Sequence, residues 1–315
     1  MRERRSLLSV GRRFAAGIDV SPRAVRVAVL SRRRVSRSRV RVDALAVEPL
    51  PAGAFAVTGD GDWAAVARAL SAAMDRVRSA RCRSALHGVM ALPRAALTLA
   101  SLDLHRMALR DGAHAHVEPA ALAAAERATG QARDALALDW RVEGPGAATV
   151  VATARAHVDT RVEAAASAGV ALVAIDGEPY AALRAIRHVA RREASVGEPY
   201  LAIWVGCGGV HGWLVAAGRV EREICYPAPE HADLADALRG LAQTGAARCA
   251  FVAGDAELLG GARISLADVA DLLGCVVLPF ECAGLCHPAR PAGDALARSP
   301  AFAVAVGLAL RGVFE

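Results

Sequence analysis

The opening of the chain is apolar in short blocks. Phe14 to Val20 and Val25 to Leu30 are apolar almost throughout, and Val40, Val42, Ala44 and Ala46 alternate with polar positions. These patterns predict three consecutive strands, with Ser21-Pro22-Arg23 as the tight break between the first two. The rhythm then changes: Trp63, Val66, Leu70, Met74 and Val77 fall three or four positions apart, which predicts an amphipathic helix with Asp62 placed to cap it. Leu86 to Leu92 reads as a buried strand closed by Pro93.

The second half repeats that order without an obvious residue-level repeat. Strands are expected at Tyr200 to Val205, around Trp213 to Val215 and at Val220 to Cys225, then a helix across Leu234 to Leu241. A strand at Arg248 to Val252 ending in Gly254, a helix at Leu266 to Leu273 stopped by Gly274, a strand at Cys275 to Phe280 and a closing helix at Ala301 to Arg311 complete it. Three antiparallel strands, helix, strand, helix, strand, helix is the order of a ribonuclease-H-like subdomain.

Between the first helix-strand pair and its completion at Val170 to Ile175 lies material of another order. It has a strand at Leu97 to Leu104, a helix opened by Glu118-Pro119, strands near Leu138 to Val142 and Thr149 to Thr153, and a helix from Thr160, where Thr160 and Glu163 stand at capping-box spacing with Gly169 as the stop. The expected organisation is α/β: a basic N-terminal tail at 1–13, a first half at 14–93, an inserted α/β subdomain at 94–168, completion of the first half and a crossover at 169–198, and a second half at 199–315.

Composition narrows the class. The chain has 315 residues, 54% hydrophobic and 22% charged, enough apolar surface for two large cores. Apolar runs are interrupted well before the roughly 18 to 20 residues of a membrane-spanning helix, and no export signal opens the chain, so a soluble cytoplasmic protein is expected. Seven cysteines, an odd number and mostly within apolar runs, argue for structural thiols over a disulfide framework. Cys282, Cys286 and His287 lack the spacing and the second pair of a zinc site. All 38 basic residues are arginine, and thirteen of them lie within residues 1 to 41 against Glu3 and Asp19, so the basic charge is an N-terminal feature. With Leu7, Leu8, Val10 and Phe14 between the arginines, this tail could meet an anionic leaflet, or be a solvated leader. The Arg32-Arg33-Arg34 turn and Arg37, Arg39 and Arg41 extend the same surface. Aromatic residues are only 4% of the chain and none lies between Arg2 and Arg13, which argues against nucleic acid.

Several stretches together resemble the type IV pilus assembly protein PilM family, relatives of the cell-division protein FtsA. They are Gly17-Ile18-Asp19-Val20-Ser21 followed by Arg26, Asp43-Ala44-Leu45-Ala46-Val47-Glu48-Pro49-Leu50-Pro51, Ala91-Leu92-Pro93-Arg94, Asp139-Trp140-Arg141-Val142, Ile175-Asp176-Gly177-Glu178 and Gly307-Leu308-Ala309-Leu310-Arg311. The resemblance implies an actin-like fold, two ribonuclease-H-like subdomains facing a cleft. It further implies a scaffold at the cytoplasmic face of the inner membrane that binds the tail of PilN, in a groove of the inserted subdomain against the first half, and helps couple the pilus motor ATPase to the alignment complex.

In such folds a hairpin from each half lines the cleft, donating backbone N–H groups to phosphates while a strand-end acid holds Mg²⁺. The residues that would hold ATP with Mg²⁺ here are Asp19, Ser21, Arg26, Gly206, Cys207, Gly208, Gly209, Gly254 and Asp255, with Asp19 as the metal-side carboxylate; alternatively, Asp19 is a carboxylate that caps a turn. Laying Ala16 to Ser21 over Leu201 to Gly206 places Trp204 opposite Asp19. An indole neither binds Mg²⁺ nor orients water, and Asp255 adds negative charge, so turnover is disfavoured, and the cleft is read either as empty or as holding ATP as a structural ligand. The competing readings are an active FtsA-like or sugar-kinase-like enzyme and the scaffold domain of a type II secretion component. No Walker loop, His-Glu-x-x-His or Gly-x-Ser-x-Gly motif is present, and His114 and His116 read as solvated loop residues.

Overall fold

The computed structural model describes residues 12–33, 40–77, 86–104, 114–144, 146–193, 197–226, 231–243, 247–286 and 294–315. Its first five-stranded sheet holds β1 (Arg12–Val20), β2 (Ala24–Arg33), β3 (Val40–Pro49), β4 (Leu86–Leu92) and β8 (Val170–Gly177) in the order β3-β2-β1-β4-β8. The three leading strands are antiparallel, and β4 and β8 run parallel to β1. A separate sheet repeats the plan with β9 (Tyr200–Gly206), β10 (Gly209–Ala216), β11 (Arg219–Tyr226), β12 (Cys249–Gly254) and β13 (Val276–Pro279) in the order β11-β10-β9-β12-β13. Two sheets of one topology make the two ribonuclease-H-like halves of an actin-like fold.

Each sheet is covered on both faces, which is why its central strands read as unbroken apolar runs rather than alternations. On the outer faces lie α1 (Trp63–Val77) in the first half and α5 (His231–Ala242) and α6 (Leu266–Leu273) in the second. Asp62 caps α1 as expected, its Oδ1 accepting from Ala65 N at 2.9 Å. Ser265 and Asp268 close a reciprocal capping box on α6.

Between the halves lie α4 (Glu178–Glu193) and α8 (Ala303–Phe314), whose Ala181, Ala185, Ile186, Ala305, Ala309 and Leu310 join residues of both sheets in one core. Small residues let these helices approach closely. A Cβ on Gly307 would lie 1.8 Å from the Ala181 carbonyl oxygen, and one on Gly17 of β1 would lie 1.9 Å from that of Ala305. A short α7 (Asp294–Ala297) precedes α8.

The inserted sheet is β5 (Thr98–Asp103), β6 (Leu136–Gly144) and β7 (Ala147–Ala154), ordered β5-β7-β6, with α2 (His114–Thr129) on its face. Three local expectations are corrected. The helix α3 (Arg155–Ser167) starts five residues before Thr160, and Thr160 Oγ1 donates to the Ala156 carbonyl from mid-helix instead of capping. This helix, inside 94–168 by sequence, packs on α1 and β8 and sends Ala165 into the first-half core. His114 and His116 lie in the first turn of α2, not a loop, and Arg32 and Arg33 end a strand. Residues 1–11, Arg34, Arg37, Arg39, Cys82 and His287 lie outside the described residues. Among the described residues no helix is long and apolar enough to cross a membrane.

Candidate functional site

The ends of β1 and β9 point their hairpins at one another across the cleft between the halves. Its lining includes Asp19, Ser21, Arg26, Gly206, Cys207, Gly208, Gly254 and Asp255, eight of the nine residues named from the sequence; Gly209, the first residue of β10, falls outside it. Asp19 is buried at the penultimate position of β1, directly across the ladder from Arg26. The Arg26 Nη1 donates to Ser21 Oγ at 3.1 Å and to Asp19 Oδ2 at 3.5 Å. Burial pushes the Asp19 carboxyl above its usual range, and Arg26 pulls it back.

The second half places Trp204 at the same station, paired with His211 as Asp19 is with Arg26. The two rings lie 5.6 Å apart, and His211 stacks on Trp213 at 5.8 Å. Burial lowers the His211 pKa to about 4, so this imidazole is neutral and the ion pair of one half is an aromatic pair in the other. The indole also lies over Gly206, where a Cβ would meet it at 2.3 Å, explaining the glycine. Gly254, at φ +90°, presses on the Val205 carbonyl in the same manner.

Two contributors were not singled out from sequence. Glu178, the first residue of α4, lines the cleft beside Asp19, and burial together with that neighbour pushes its carboxyl up to about 8. Its only signal was its place after Ile175-Asp176-Gly177. Arg161 of α3 is fully buried: its Nε donates to the Ala91 carbonyl and its Nη1 to that of His157, both at 2.8 Å, with its guanidinium over the Trp63 ring. Burial lowers its pKa to about 10, leaving it charged at neutral pH and a counterweight to Glu178.

The cleft is shut. Arg23 Nη1 of the first hairpin reaches Asp255 Oδ2 of the second half at 2.8 Å, and the enclosed volume is about 40 Å³, against the roughly 300 Å³ or more of small-ligand sites. A nucleoside triphosphate with Mg²⁺ does not fit this closed arrangement. Among the described residues no three His, Cys, Asp or Glu side chains gather as a metal site. Cys282 is buried and its carbonyl accepts from the Cys286 thiol at 3.5 Å.

A larger recess of about 390 Å³ opens where the inserted sheet meets the first half, between β6, β7, α3 and β8. Its walls are mainly apolar, with Leu97, Leu138, Val162, Val173 and Tyr180 among them. Val162 is 46% and Val173 55% exposed, a pair of large aliphatic side chains left uncovered in the same recess. At one end Asp176 is held by Arg184 at 2.8 Å and Arg311 at 3.5 Å; exposed Asp139 stands on the rim.

Residues 17–203 match the family described as type IV pilus assembly protein PilM. The fold is similar to that of a solved PilM-PilN type IV pilus biogenesis complex, with a TM-score of 0.73 and 20% identity over 95% of this chain and 98% of that one. Weaker similarities reach the cytoplasmic domain of EpsL, an inner-membrane component of the type II secretion system of Vibrio cholerae (TM-score 0.43, 13% identity, 77% and 82% covered), and an actin-like ATPase-fold protein from Bacteroides thetaiotaomicron (0.47, 8%, 85% and 91%). No curated protein sequence matches the chain.

Proposed function

This chain belongs to the type IV pilus assembly protein PilM family, and from that premise we propose that it is a cytoplasmic scaffold of the pilus inner-membrane complex whose apolar recess holds the tail of a PilN-like partner. The observation that carries this reading is the recess itself. Val162, Val173, Leu138 and Tyr180 present apolar surface between the inserted sheet and the first half, in an open groove of about 390 Å³ of the kind that takes a peptide segment. Burying such surface favours association at about 25 cal/mol per Å², and the preformed walls lower the ordering cost.

The scaffold reading needs no chemistry in the cleft. Phosphoryl transfer rests on metal, positioning and charge placement, and here an indole stands where a second carboxylate would, while Asp255 ties the cleft shut. ATP, if taken up, enters only after the Arg23–Asp255 bridge opens, as a structural ligand rather than a substrate. The motor ATPase complex is then reached through the partner and the outer surface, not through catalysis.

Calorimetric titration with a synthetic peptide of the cognate PilN-like tail tests the reading. Saturable binding is expected, with Val173→Glu weakening it at least ~10-fold because a charge would be buried against the peptide. As Val173 is exposed, the variant keeps the wild-type melting temperature. Undiminished affinity in Val173→Glu would remove the recess from the proposal.

A further inference from the structure

A second, larger groove of about 960 Å³ lies on the other side of Tyr180, along the outward face of α4. The helix is sharply two-faced. Ala181, Ala182, Ala185, Ile186, Val189 and Ala190 are buried, and Arg184, Arg187, His188, Arg191 and Arg192 stand on the opposite side with no acid between Glu178 and Glu193. Arginines three and four positions apart repel one another, so a face solvated for its own sake usually interleaves both signs. The groove adds Arg141 from β6, and among the described residues its only acidic lining residues are Glu223 and Glu315, the latter already bonded to Arg311 at 2.8 Å.

The arginines differ in how they are engaged. Arg184 is held by Asp176, Arg187 donates to the Gly218 carbonyl and Arg192 to the Gly284 carbonyl, while Arg191 is exposed and has no carboxylate within ion-pair distance among the described residues. The floor is apolar: Trp213 is buried beneath it, and Val220 and Phe314 remain 40% and 45% exposed. Cationic walls over an exposed apolar floor define the chemistry of what would cover them.

We infer that this groove is a docking site for an acidic, apolar-spaced peptide segment of a partner protein, separate from the recess proposed for the PilN-like tail. From Arg184 to Arg191 the charges span about 10 Å of helix, so they match carboxylates distributed along a segment rather than a single phosphate. The groove is concave, so a flat bilayer reaches its rim and not its floor. The inference stands on α4 and its neighbours and does not depend on what fills the other recess.

The probe is a short fluorescein-labelled peptide in which glutamates alternate with leucines, read by anisotropy against full-length protein, with the lysine-for-glutamate peptide as comparison. The acidic peptide is expected to bind and the lysine peptide not, with affinity falling as salt rises. Arg191→Glu, which loses no ion pair in the structure, should weaken binding ~10-fold, and Arg187→Glu/Arg191→Glu further. The control Arg68→Glu/Arg127→Glu, an equal charge change on exposed positions of α1 and α2, should stay within ~2-fold of wild type. Equal weakening by the control, or full affinity in Arg191→Glu at an unchanged melting temperature, would overturn the inference. So would binding to phosphatidylglycerol vesicles that Arg191→Glu abolishes while the acidic peptide fails to bind, which would make this face a membrane contact.

Discussion

Asp19 and Glu178 place two carboxyl groups around one half-buried arginine, Arg26, and neither sits in its ordinary ionisation range. For Glu178 the folded-state pKa, about 8, lies above its ordinary value of 4.5, so the native state holds a proton that the unfolded chain releases between those limits. Stability from this group is present in full below about pH 4.5 and is lost as pH rises through about 8. Glu178→Gln should therefore melt higher than wild type at pH 9, by of the order of 1 kcal/mol because Glu178 is only half-buried, and the gap should close toward pH 5. A gap independent of pH in paired melting curves would detach the effect from ionisation. At the hairpin, Asp255→Ala removes both the latch to Arg23 and a negative charge; calorimetry with Mg·ATP should give tighter binding than wild type, by up to ~5-fold for an exposed pair, with no phosphate release from either. Tighter binding by wild type would mean that Asp255 aids the nucleotide instead of excluding it.

At the level of elements, the crossing of α4 and α8 decides whether the halves hold together. The Gly307 contact with the Ala181 carbonyl leaves no room for a methyl group, so Gly307→Ala must separate the two helices or bend one of them. Overpacking of this kind costs about 1 to 3 kcal/mol or more, measurable as a fall in urea midpoint at unchanged slope; an unchanged midpoint would show that the helices can part freely. The glycine was visible in the closing Gly307-Leu308-Ala309 run, but its neighbour lies 126 positions earlier in the chain, and no local pattern states that distance. The same holds for α3. The Thr160 and Glu163 spacing with Gly169 as the stop predicts a helix here, yet not that Arg161 would donate to the Ala91 carbonyl of β4 and so tie the helix to the first half.

Over the whole molecule, two sheets of identical strand order face one another, with α4 and α8 between them and the inserted sheet at the side. This arrangement puts the cleft, the apolar recess and the arginine groove around shared elements, Tyr180 lying between the latter two. The basic start of the chain belongs to this scale as well, because its sequence adds positive charge to a scaffold proposed to work at a membrane. Co-sedimentation with anionic liposomes should retain the full chain more than a version beginning at Phe14, with each arginine near the surface contributing about 1 kcal/mol. Equal retention of the two would remove the tail from membrane attachment.

Element order, the doubled three-strand plan and the station of Asp19 against Trp204 could all be read from the chain, because strand and helix periods and hairpin breaks are local properties. Which distant residues meet could not. Glu178 joins Asp19, and Arg161 passes beneath Trp63, only when β8 and α3 close on the first sheet. The arginines of α4 become a groove only when β11 and the end of α8 stand beside them. Periodicity determines which face of an element is apolar; packing across long separations determines what that face, and the charged one behind it, will find opposite.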